Sequence, residues 1–168
     1  MRHRLSAVCA MLLLLFAGCH GVDDATGPSL GQLAHWRIVL PSDPHPAEQY
    51  AAEELQRLLQ QAGTLPIVSS EDGQGGAAGV FRIGGAARVN TGDLDEEDHR
   101  IRIARRRIDL AGGGPRGTLY CVYAFLEDRL GVRFLTPDQT DVPPLKSGRM
   151  LPAGAVTRRQ AFDFRWVY

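Results

Sequence analysis

Glycines 112, 114 and 117, in the stretch AGGGPRGTLYCVYAFLEDRLGVRF, stand as Gly-x-Gly-x-x-Gly where an expected strand gives way to an expected helix. With Asp138 about 20 residues beyond, the pattern is one that could cradle a dinucleotide. Glycines would let the backbone approach the pyrophosphate, the helix N-terminus would face its charge, and the acid would take a ribose hydroxyl. The context tells against that chemistry. A dinucleotide fold needs an apolar parallel strand before the glycines and further strand-helix units after them. Here the preceding strand alternates with polar residues and reads as half of a hairpin, and after the next strand only irregular chain and one terminal run follow. We therefore read the glycines as turning a corner, with no nucleotide or other cofactor bound.

The remaining reactive side chains form no set. His20, His35, His45 and His99 are scattered without metal-ligand spacing, so no metal is expected. Ser42, Ser69 and Ser70 lack the strand-to-helix setting of a nucleophile elbow. Cys121 sits mid-helix beside Val122 and reads as a small buried hydrophobe. The pairs Glu53-Glu54 and Glu96-Glu97 read as solvated charge. Arginines 100, 102 and 105 to 107 form a basic cluster, but no aromatic residue interleaves with them to stack on bases, so the cluster reads as a solvated outer face and nucleic acid is not an expected partner.

One cysteine does carry a chemical expectation. Two arginines in the first four residues, an apolar run over residues 5–16 and then Ala17-Gly18-Cys19 make a basic, apolar, small-residue order typical of an export signal. The run is too short for a membrane-spanning helix. Its ending looks like a bacterial lipobox, in which Cys19 is lipidated and becomes the new N-terminus. Residues 1–18 are thus read as a signal peptide, and the product as an exported cell-envelope lipoprotein held to the membrane through Cys19. Cleavage removes Arg2 and Arg4 and no acid, leaving 17 basic residues against 19 acidic. Cys121 is then the one remaining unmodified thiol, so no disulfide framework is available and the core must carry the fold.

The elements around these residues follow from periodicity. The chain has 168 residues, 44% hydrophobic and 23% charged, which suits one globular domain with a real core. Residues 36–40 read as a short strand. A helix follows from Pro46 to about Gly63, with Ala51, Leu55, Leu58, Leu59 and Ala62 on one stripe and glycine as the stop. Strands are expected over residues 65–68 and 80–83. Residues 100–110 should form a hairpin with Ile101, Ile103, Ile108 and Leu110 on a buried face and Arg100, Arg102, Arg107 and Asp109 pointing away. A second helix spans about 115–130, with one more strand over 132–135. This order gives an α/β (α+β) fold: a two-layer mixed sheet with two main helices packed on one face. Four regions result. They are the signal peptide, a flexible lipid-anchored tether over 19–34, the α/β domain over 35–145, and a linker over 146–168 ending in the strand-like run AFDFRWVY.

Three stretches taken together, PAEQYAAEELQRLLQQAGTLPIV, FRIGG and GGGPRGTLYCVYAFLEDRLGVRFLTPD, resemble the N-terminal α/β accessory domain of bacterial α-glucuronidases and β-hexosaminidase-like glycoside hydrolases. The likeness covers about residues 35–145, and the Arg-Gly-Thr-Leu-Tyr-x-Val-Tyr-x-Phe-Leu-Glu block is its most specific part. It implies an accessory layer beside a catalytic (β/α)8 barrel that holds the catalytic carboxylates. This chain would then be a non-catalytic fragment of a polysaccharide- or oligosaccharide-degrading enzyme, with its own absent barrel, a carbohydrate substrate and the membrane as partners. The resemblance also gives Arg165 a role. The run AFDFRWVY offers Phe162, Phe164 and Arg165 in the order of a Phe-x-Tyr-Arg-Gly stretch leading into the first barrel strand, whose arginine binds sugar hydroxyls. A guanidinium fork suits two neighbouring hydroxyls or a uronate carboxylate. Trp166 stands where that pattern has glycine. The alternative reading is a stand-alone surface module that binds carbohydrate or another ligand.

Overall fold

The computed structural model describes residues 26–64, 66–70 and 78–160. Its centre is a six-stranded mixed sheet. In chain order the strands are β1 (Thr26–Ser29), β2 (Arg37–Leu40), β3 (Ile67–Ser70), β4 (Val80–Ile83), β5 (His99–Ala104), β6 (Arg107–Gly112), β7 (Arg133–Thr136), β8 (Gln139–Asp141), β9 (Met150–Pro152) and β10 (Gly154–Arg158). The central sheet runs β10-β5-β6-β4-β2-β3, with β6, β4, β2 and β3 parallel and the β6-β5 and β5-β10 pairs antiparallel. The expected α+β architecture is the one found.

Two helices cover one face. Helix α1 (Pro46–Gln61) starts at Pro46, where a missing N–H costs nothing, and His45 and Glu48 cap it reciprocally through backbone hydrogen bonds. It stops before Gly63, whose φ of +94° a side chain would disfavour. Ala51, Leu55 and Leu59 are fully buried, which makes the apolar stripe the core-facing side. Helix α2 (Pro115–Phe125) is shorter than the sequence suggests: a single π-helical turn, Leu126–Leu130, carries it to Gly131. Phe81 of β4 meets Phe125 of α2 at a ring-centroid distance of 5.8 Å and Trp36 at 5.3 Å, which identifies the helix side of the sheet. By strand register Ile38, Phe81, Ile108 and Ile103 form one row on that side, and Ile83, Leu110 and Ile101 the next.

The regions expected to be linkers are in part built into the domain. Residues 26–34 do not serve as a tether: β1 pairs antiparallel with β9, and a 3-10 turn over Leu30–His35 buries Leu30 and Leu33 in the core. Leu30 and Leu33 are three apart, the spacing that shares one side of a 3-10 helix. The segment after residue 145 is likewise not all linker. Leu151 is buried on β9, and β10 extends the central sheet beside β5. The strand near residue 133 forms a separate two-stranded ribbon with β8 instead of joining the main sheet.

Candidate functional site: the glycine corner and the arginine face

The glycine corner between β6 and α2 is filled by the protein itself. The loop 94–98 folds into it: the Gly113 N–H donates to Asp98 O at 3.0 Å, the Gly114 N–H to Glu96 O at 2.9 Å, and the Gly112 N–H to Thr118 Oγ1 at 3.1 Å. A Cβ on Gly112 would lie 2.2 Å from Gly117 C, one on Gly113 2.1 Å from Asp95 O, and one on Gly117 2.5 Å from Asp98 O. None of these three glycines has a positive φ, so close backbone approach, and not an unusual dihedral, is what excludes side chains here. The Gly113 and Gly114 amides are thus taken by carbonyls and the Gly112 amide by a hydroxyl, all from the protein itself. The corner is structural.

Asp98 organises that loop. It is 2% exposed, accepts the Gln160 N–H at 2.8 Å and the Asp95 N–H at 3.2 Å, and lies 3.4 Å from Arg159. Foremost the Gln160 amide, then the Asp95 amide and the Arg159 charge, hold its carboxyl below the usual carboxylate range. Arg159 also pairs with Asp93, which Arg100 grips through two nitrogens at 2.9 and 3.1 Å.

The face of the sheet opposite the helices carries Arg37, Arg82, Arg100, Arg102 and Arg107. Asp109 lies among them, and there the sequence reading needs correction. Its strand position does point away from the helices, as alternation requires, but it is 0% exposed. Register sets Arg82 on one side of it and Arg102 on the other, while Arg107 Nε lies 2.9 Å from its Oδ2 and the Arg88 N–H donates to its Oδ1 at 3.0 Å. Long arginine stems and the loop at residue 88 close over the short carboxylate, something alternation alone does not reveal.

Against the outer side of the helices, Tyr50, Glu54, Arg57, Tyr123, Phe134 and Thr140 line a shallow groove. Arg57 holds Glu54 through two nitrogens at 2.8 and 2.9 Å and lowers its carboxyl pKa; Glu54 also accepts from the Tyr123 hydroxyl at 3.3 Å. Glu54 is therefore a paired group and not loose solvated charge. Burial foremost raises the Tyr123 phenol.

Cys19 and Arg165, the two residues singled out for lipid attachment and sugar binding, lie outside the described residues. Cys121 is fully buried, with Sγ 3.3 Å from Arg100 O, and burial pushes its thiol up, away from nucleophilic use. Sequence reasoning missed Asp98 and Asp109. For Asp109 the available signal was a lone acid within an arginine-rich hairpin; for Asp98 there was none beyond its place before a strand.

No protein-family profile matches the sequence, and no curated protein does. Among solved structures the chain is similar to a GH20 β-N-acetylhexosaminidase from Streptomyces coelicolor A3(2), at TM-score 0.56 and 16% identity over 85% of this chain. The chain spans 25% of that enzyme's length. It is also similar to part of a GH138 enzyme targeting pectin rhamnogalacturonan II, at TM-score 0.45 and 16% identity over 63% of this chain and 11% of the other. At these identities the likeness concerns the fold.

Proposed function

We propose that this chain is the non-catalytic N-terminal accessory domain of an exported glycoside hydrolase acting on polysaccharide or oligosaccharide. The observation that carries the reading is the shared fold: 85% of this chain superposes on a quarter of a hexosaminidase chain. The residues that resemble accessory domains in sequence form α1, β4 and the glycine corner with α2, which build the core of that fold. Three carboxylates, Asp98, Asp109 and Glu54, are committed to internal partners, which agrees with a structural role for them.

In this reading the barrel follows the domain, Arg165 contributes to the sugar subsite at the junction, and Cys19 anchors the protein in the cell envelope. The test compares the 168-residue chain with the complete product of its reading frame on a panel of aryl glycosides and acidic oligosaccharides. The longer protein turns over a substrate and the chain alone does not. With that substrate, Arg165→Lys lowers kcat/KM at least tenfold, about 1.4 kcal/mol of transition-state stabilisation. A reading frame that closes at Tyr168, or turnover by the chain alone, overturns the proposal; the former favours a stand-alone binding module.

A further inference from the structure

Tyr50, Glu54 and Arg57 stand at i, i+4 and i+7 of α1 and so share one face of the helix, beside the buried stripe of Leu55 and Leu58. Tyr123 of α2 and the β7-β8 ribbon close on that face, with Phe134 and Thr140 directly opposite each other in the ribbon. Together they bound a groove of about 630 Å3, within the roughly 300–1,000 Å3 of small-ligand sites. Of its two charged side chains one is a carboxylate and the other a guanidinium, and they are paired with each other. The groove therefore offers a ligand no net charge.

What it offers instead is ring surface held still. The Tyr123 hydroxyl donates to Glu54 at 3.3 Å and Tyr50 interacts with the same hydroxyl, while Arg57 gives Nε and Nη2 to the carboxylate. Tyr123 and Phe134 meet edge to face, with ring centroids 5.1 Å apart and planes at 88°. Tyr50 is 50% exposed and stacks on no other ring among the described residues. Polar tips bound to one another do not serve a ligand as free donors. They fix the rings, so little side-chain entropy is lost when a flat surface settles on them.

We propose that this groove binds an uncharged oligosaccharide of flat, equatorially linked pyranoses, with the Tyr50 ring as its platform. Such a sugar carries its hydroxyls around the rim and its C–H bonds on the two faces. Those faces are apolar and slightly positive, which suits the negative face of a phenol ring. Thr136 and Thr140 line the same groove and bring hydroxyls for the rim. The choice of a sugar over other apolar ligands rests on the hydrolase reading above; the ring platform and the absence of net charge rest on the residues themselves.

The experiment titrates the isotope-labelled 168-residue chain with cellotriose and triacetylchitotriose, and in separate arms with trigalacturonate and a polyproline peptide. At least one neutral trimer shifts the ring signals of Tyr50 and the amides of Thr136 and Thr140. Raising NaCl to about 500 mM leaves its affinity within about twofold, since no ionic contact is made. Tyr50→Leu, which keeps apolar bulk without the ring, weakens binding by about fivefold with the melting temperature retained. Tyr50→Phe, which keeps the ring without the hydroxyl, binds within about twofold of the parent. The site is overturned if neither neutral trimer moves these signals up to about 20 mM, or if only trigalacturonate or the peptide does. It is overturned too if Tyr50→Leu binds as the parent does, or if a stably folded Tyr50→Phe no longer binds. A chain that ignores both neutral trimers loses this site alone; the accessory-domain reading stands or falls on the turnover comparison.

Discussion

Arg107 lies with its Nε 2.9 Å from Oδ2 of Asp109, and the carboxylate it holds is sealed from solvent while the arginine is not. The contact is an ion pair and not an aligned hydrogen bond, since neither atom has a hydrogen-bond partner in line. The aligned bond to Asp109 comes instead from the Arg88 amide.

This asymmetry sets the effect of substitution. Asp109→Ala leaves the Arg88 amide unpaired and removes the shared counter-charge, and should destabilise the fold by about 2 kcal/mol. Arg107→Ala leaves Asp109 flanked by Arg82 and Arg102 and should cost less than half as much. Urea unfolding of both variants checks the order; an equal or reversed order would show that Asp109 depends on Arg107 alone.

The glycine corner predicts a position-specific pattern. Gly113→Ala places a methyl against the Asp95 carbonyl and should cost about 1–3 kcal/mol through forced backbone movement. Gly148→Ala meets nothing within 4 Å and should change stability by no more than about 0.5 kcal/mol. Adding NAD or ATP should leave the melting temperature where it was, whereas a ligand at 100 times its dissociation constant would add about 2.7 kcal/mol.

Asp98 ties stability to acid pH. Its folded-state pKa is lowered, so its contribution is fully present above the ordinary carboxylate pKa and is lost as pH falls through the lowered value. Asp98→Asn should therefore melt at a lower temperature than the parent at neutral pH. The gap should begin to narrow as pH falls through the ordinary carboxylate pKa of about 3.9 and close only below the lowered folded-state value, where the parent is itself protonated. Melting curves across pH 2 to 7 (about six points suffice to place the convergence) test this, and a constant gap would remove the charge from the account.

Cys121 should be inert while the domain is folded. Full burial and a raised thiol pKa leave little thiolate for disulfide exchange, so reaction with a disulfide reagent should proceed only as fast as the protein opens. Immediate labelling in native buffer and complete labelling in urea would be distinguished by absorbance; the native reaction should be slow.

What could be seen in the sequence was what repeats locally. Leu55, Leu58 and Leu59 between Pro46 and Gly63 mark α1, and the alternation from Ile101 to Leu110 marks the β5-β6 hairpin and its register. Its two-residue turn at Arg105 and Arg106 closes with no positive-φ residue, which is why the usual Asn-Gly sign was absent. Strands β1 and β9 carry no such sign. Each is three or four residues long and finds its partner at the far end of the chain, so nothing near Thr26 or Met150 announces the pairing. Of the candidate site, the arginines were plain, but their closure over Asp109 depends on rows formed by three strands that only the folded sheet brings together.

The β1-β9 ladder also imposes an order in time. Thr26 emerges from the ribosome early and Pro152 late, yet each completes the other's hydrogen bonding, and Leu30 donates its N–H to Arg149 O. Until residues 147–152 arrive, the strand and the 3-10 turn behind it lack the partners that hold them in place. A contact of such long sequence separation carries a larger loop-closure cost than the local β5-β6 hairpin does. Meanwhile Leu30 and Leu33 present apolar surface on an unfinished domain, the kind of surface that holdase chaperones recognise and aggregates exploit. The first described strand thus gains its ladder partner only once the strand that ends at Pro152 has been made.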